Sequence, residues 1–157
     1  MNRLCVLMIG MAGLMTSCQS DLASHSPVET DPTAPSLDAV QPSLTNTYWR
    51  PVEIAGKPVD VAANQREPHL ILVFGENKMR GFGGCNQMQG LYEVQGDGLR
   101  FIGTATTRMF CQETMEQEGA FLHAIESTTR YKLVGETLEL YDMNGELLAR
   151  FESKSLR

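Results

Sequence analysis

Positive charge is scarce in this chain: 13 lysines and arginines stand against 19 acidic residues, a net charge of −6. Proteins that track nucleic-acid phosphates carry basic stripes, so nucleic acid is excluded as a partner class. Cysteine is sparse as well, with four in 157 residues, at positions 5, 18, 85 and 111. No two of them form a Cys-x-x-Cys, and the few cysteines and histidines are scattered, so the sequence offers no metal site. Long apolar runs are missing too. The longest, Leu4 to Met15, falls short of the ~20 residues that a spanning helix needs. No internal repeat of solenoid period is found, and no residue set calls for a cofactor.

What is present begins with an address. Met1-Asn2-Arg3 supplies one positive charge, a short apolar centre follows, and small residues come after it, the layout of a secretory signal. The segment ends Met15-Thr16-Ser17-Cys18, which resembles a lipoprotein processing box, with Met15 where leucine is usual. The resemblance implies a signal peptide over 1–17 and acylation of Cys18, which would anchor the chain in a membrane. Gln19 after that cysteine implies, again by resemblance, sorting to the outer membrane with the domain facing the periplasm. Residues 18–45 read as a tether, with Pro27, Pro32, Pro35 and Pro42 among Ser, Thr, Asp and Ala. Such a stretch buries too little apolar surface to offset its ordering entropy.

From residue 46 to 153 the pattern becomes short strands separated by turn residues. Tyr48 to Ile54 reads as a first strand anchored by Trp49, with Pro51 marking an edge or a bulge. Leu70 to Phe74 is a continuous apolar run, which predicts a central strand covered on both faces. Gly96-Asp97-Gly98 joins one hairpin, Gly135-Glu136-Thr137 a second, and Asn144-Gly145 leads into a last strand over 147–152. One helix interrupts them. Thr114 and Gln117 have capping-box spacing, and Glu116 and Glu118 fall where the helix dipole is positive. Met115, Phe121, Leu122 and Ile125, with Glu118 among them, recur at helical spacing as a core-facing stripe. The fold class is therefore α+β: a curved antiparallel sheet of about eight strands with one helix packed against it.

The centre of the chain is a glycine-rich stretch, Arg80 to Tyr92, containing Gly84-Cys85-Asn86 and then Gly90-x-Tyr92. A second motif, Thr107-x-Met109-x-Cys111, comes later. Together with Trp49, the Gly56 turn and the Glu116/Glu118 helix start, these resemble the META domain, also called the HslJ-like family. Pro51 stands where that family often has leucine. The resemblance implies a half-open, barrel-like sheet with a helix at its opening. It also implies envelope lipoproteins associated with heat stress, motility or antibiotic tolerance, and no established catalytic activity.

Cys85 and Cys111 leave three readings open: a disulfide, two buried free thiols, or a reactive thiol. A bridge would close a loop of about 27 residues, worth roughly 3.5 kcal/mol on the chain-entropy model. The reactive reading casts Cys85 as nucleophile, His123 as base and Asn86 as orienter, but no motif ties these together. His69 begins a strand and reads as structural. Arg80 and Arg108 flank the two motifs, as ordinary surface charges, as partners of Glu116 or Glu118, or as markers of a binding surface. The functional expectation is a non-enzymatic envelope lipoprotein with an envelope protein as partner. The alternative is a carrier that holds an acyl chain or peptide inside the open sheet.

Overall fold

A computed structural model describes residues 42–61 and 65–154. The signal segment, Cys18 and nearly all of the tether lie outside the described residues. Nine strands and one helix follow in order: β1 Tyr48–Ile54, β2 Lys57–Pro58, β3 His69–Val73, β4 Lys78–Phe82, β5 Gln87–Gln95 and β6 Gly98–Thr106. Then come α1 Met115–Ser127, β7 Arg130–Val134, β8 Thr137–Tyr141 and β9 Leu147–Lys154.

All pairings are antiparallel, and the sheet closes on itself because β1 pairs with β9 over most of its length. The ring is uneven. β1 meets β3 only at Trp49 opposite Leu70, and β6 meets β7 only at Gly98 opposite Arg130. These two thin seams make the arrangement a ring of uneven pairing rather than an even barrel. Pro51 sits next to a register shift in the β1–β9 ladder, so a bulge absorbs the residue that cannot donate a hydrogen bond.

Alternation along the strands fills the ring. Trp49, Leu70, Leu72, Met79, Leu99, Leu138, Leu140 and Phe151 are all fully buried. Each such side chain contributes about 1.5–3 kcal/mol of burial. Helix α1 lies against β1, β6, β8 and β9 and lays Phe121, Ala124 and Ile125 into the same core. The Phe121 ring sits 5.8 Å from that of Phe151, tilted by 49°.

Several expectations change. The β3 run is covered on one face only: Leu70 and Leu72 are buried, Ile71 and Val73 are half-buried, and Phe74 beyond the strand is 72% exposed. The ring has a single filled interior, so its outer face has no second layer to cover it. The Thr114–Gln117 capping box does not form. Thr114 has no side-chain cap bond, and the Gln117 amide is turned to the Asp60 backbone, accepting from its N–H at 2.9 Å and donating to its carbonyl at 3.1 Å. Met115 at the start of the stripe is exposed, and the buried face includes Ala124 instead of extending to that end. Asn144-Gly145 is not a two-residue hairpin turn. It belongs to a five-residue loop, 142–146, in which the Asp142 carboxylate accepts the N–H groups of Asn144 and Glu146 at 2.9 and 2.8 Å.

Candidate functional site

The glycine stretch leaves β4 at Phe82 and crosses to β5 over Gly83-Gly84-Cys85-Asn86, above the first turn of α1. Glu118 comes up from that turn. Its side chain is 3% exposed, and its carboxylate accepts three N–H groups. Oε2 takes the backbone N–H of Cys85 at 2.9 Å and of Asn86 at 2.6 Å, while Oε1 takes the Asn86 side-chain amide at 2.6 Å. A buried acid with no cation bonded to it is costly unless its oxygens are satisfied, and here the loop satisfies them.

The glycines make room for this. A Cβ on Gly83 would lie 2.6 Å from both Cγ and Oε2 of Glu118, so any larger residue pushes the carboxylate away. Gly84 has φ +117°, a backbone conformation that only glycine adopts without strain.

Asn86 carries the link onward to the second motif. Its Oδ1 accepts the Met109 N–H at 2.7 Å and the Thr107 hydroxyl at 2.8 Å, and its Nδ2 also reaches the Met109 carbonyl at 3.1 Å. The Thr107 Oγ1 in turn accepts the Gln87 N–H at 3.2 Å. Two residues beyond Met109, Cys111 is joined to Cys85 by a disulfide, with Cα atoms 5.9 Å apart. That separation is ordinary for a bridged pair. Gly84, Cys85, Asn86, Thr107, Met109 and Cys111 thus form one cluster around Glu118.

Gly90 and Tyr92 belong elsewhere. A Cβ on Gly90 would lie 3.1 Å from the Ile102 carbonyl oxygen, at the register shift between β5 and β6. The Tyr92 hydroxyl donates to the Val73 carbonyl at 3.1 Å. The two residues fix the sheet rather than the cluster.

Among the described residues no buried side-chain N or O is left unpaired, those of the cluster included. With Cys85 in a disulfide there is no thiolate, and His123 lies on the exposed side of α1. The nucleophile–base–orienter arrangement is therefore not assembled. Arg80 and Arg108 pair with neither helix acid: Glu116 pairs with Lys57 at 3.0 Å, and Glu118 is taken by the loop. Glu118 is the residue that sequence reasoning undervalued. Its signal was an acid inside an apolar helical stripe, where a solvated side chain has no place.

One part of the cluster faces outward. Between the Asn86 bonds and the disulfide, the loop presents Met109 and Phe110 at 58% and 80% exposure.

The arrangement defines a small ring-shaped α+β domain whose loop-to-helix junction is fastened by a buried carboxylate and a disulfide. The META-domain family model matches residues 42–155, and the chain belongs to that family. No curated protein matches the chain. An NMR structure of a protein from Burkholderia xenovorans is similar at 26% identity and a TM-score of 0.58, covering 81% of this chain and 100% of that one. A second NMR structure shares the fold at 22% identity and a TM-score of 0.53, covering 69% of this chain and 90% of that one.

Proposed function

We propose that this protein is a non-enzymatic lipoprotein, anchored in the outer membrane through Cys18, whose META domain works by binding another envelope protein. The observation that carries the reading is the Thr107–Cys111 loop. It is held by Asn86 at one end and by the disulfide at the other, and it offers Met109 and Phe110 to solvent. A pre-ordered loop pays little entropy on binding, and adjacent methionine and aromatic side chains are effective anchors for a protein partner. The cluster beneath holds no free nucleophile, so its chemistry supports fastening rather than turnover. The signal-like start, the lipoprotein box and the proline-rich tether support the membrane anchor. An envelope-stress or antibiotic-tolerance role is the setting we assign to it.

The carrier alternative loses its support. Among the described residues the ring interior is filled by Trp49, Leu70, Leu72, Phe121 and Phe151, which takes the space an acyl chain would use. The test is cross-linking in intact cells with the wild-type chain and with a Met109→Ser/Phe110→Ser variant. The reading expects one partner to be captured by the wild type and lost from the variant at unchanged melting temperature. Identical capture by both would reject the loop as the binding surface. A deletion strain with an unaltered envelope and an unaltered response to heat and antibiotics would reject the role.

A further inference from the structure

The outer face of β3–β6 holds a groove of about 570 Å³ whose lining includes Arg66, Arg80, His69, Gln87, Gln89 and Thr107. Strand register explains how they meet. Ile71, Arg80, Gln89 and Ala105 stand side by side across four strands, and His69, Phe82 and Gln87 form the next row on the same face. No aspartate or glutamate lines the groove, although the chain as a whole carries a net charge of −6. Neither Arg66 nor Arg80 forms an ion pair among the described residues.

An aromatic stack beside the groove holds one of these cations in place. The Arg66 guanidinium lies 4.8 Å from the centre of the Phe82 ring, Phe82 lies beside His69 at 6.3 Å, and His69 stacks on Tyr48 at 4.6 Å. Burial, aided by the Arg66 charge, holds the His69 imidazole below its ordinary pKa, so the groove's positive charge at neutral pH comes from the arginines. Two guanidinium groups without an ion-pair partner share one concavity lined also by side-chain amides. An oxyanion in the groove would supply the negative charge that its lining lacks. Forks arriving from two separate segments suit a group with three or more acceptor oxygens.

We propose that this groove binds a phosphate-bearing ligand, with Arg66 and Arg80 as its charge contacts and Gln87 and Gln89 as neutral ones. The proposal rests on reading the domain as a binding module, and it concerns the outer sheet face, which borders the Thr107–Cys111 loop at Thr107 but does not include Met109 or Phe110. The phosphate can belong to a lipid headgroup or to a free small molecule.

The test is a phosphate titration of the full-length chain against chloride at matched ionic strength, followed through the amide resonances of Gln87 and Gln89. Saturable shifts are expected, at least ten-fold weaker in Arg66→Gln/Arg80→Gln and unchanged in Arg100→Gln, whose arginine lies outside the groove. Both target arginines are exposed, so the double variant is expected to keep the wild-type melting temperature. A second arm measures retention on phosphatidylglycerol and phosphatidylcholine vesicles, using the Cys18→Ser chain so that no anchor contributes. Retention on the anionic vesicles that is lost in the double variant assigns the phosphate to a lipid. Saturable phosphate binding without vesicle retention assigns it to a small molecule. No saturable binding in either arm, or binding unaltered in the double variant, overturns the proposal. Partner capture through Phe110 is read separately, so a failure here leaves that reading to its own test.

Discussion

Glu118 Oε2 accepts the backbone N–H of Asn86 at 2.6 Å across 32 residues of sequence, tying the first turn of α1 to the loop between β4 and β5. Removing the carboxylate strands the N–H groups of Cys85 and Asn86 and the Asn86 amide together. Glu118→Ala is expected to lose about 3–5 kcal/mol, and Glu118→Gln, which keeps one acceptor, about 1–3 kcal/mol. Urea unfolding of the three proteins measures the difference. A loss below 1 kcal/mol for the alanine variant would mean that the junction is not held by this acid.

Two glycines should respond with opposite signs to the same change. At Gly83 a new methyl group meets the Glu118 side chain at 2.6 Å, and Gly83→Ala is expected to cost about 1–3 kcal/mol. Gly119 is exposed in the helix, with nothing within 4 Å of its missing Cβ. Gly119→Ala is expected to stabilise by up to about 1 kcal/mol through helix propensity. Thermal melts of both variants decide it.

The disulfide constrains the unfolded chain across a sequence separation of 26. Cys85→Ala/Cys111→Ala is expected to lose roughly 3.5 kcal/mol, and the wild type should fall to the same stability in reductant. Reductant that shifts the double variant as much as the wild type would place the effect elsewhere.

Acid and alkali should each weaken the fold through named groups. A hydrogen bond from Lys154 holds the Glu67 carboxyl below its unfolded value of 4.5, and the Tyr141 hydroxyl followed by Arg150 does the same for Glu139. Their stabilisation is full above pH 4.5 and is lost as pH falls through the lower folded values. Tyr48 behaves in the opposite sense. Burial first, and then the Glu67 charge, push its hydroxyl from 10.0 up to about 12, so its contribution is full below pH 10 and gone once pH passes 12. Glu67→Gln should flatten the acid limb of a stability–pH curve, and Tyr48→Phe the alkaline limb.

Much of the sheet was legible because its punctuation is local. The Gly96-Asp97 and Gly135-Glu136 turns, the Pro51 bulge and the alternation of Ala149 and Phe151 each follow from rules spanning a few residues. The ring closure is not local. The β1–β9 pairing brings Tyr48 opposite Lys154, and no short-range pattern encodes it. Phe74 misled for a related reason: an apolar run has the same composition whether one face is covered or two. At the site, the motifs point to Cys85, Asn86 and Cys111, yet local rules connect the residue at their centre, Glu118, only with the helix dipole and the helical stripe. Capping statistics weigh a side chain against its own helix. Here Glu118 and Gln117 bond to other segments, which local rules cannot see.

The central claim is a lipid-anchored domain whose signature cysteines fasten it and do no chemistry. The most direct test is the intact mass of the protein taken from the envelope without reductant, before and after alkylation in the native and the unfolded state. The account predicts a chain beginning at an acylated Cys18, no alkylation in either state, and two alkylated cysteines only after reduction. A native-state adduct on Cys85 would contradict the fastening role and return the thiol to consideration as a reactive group.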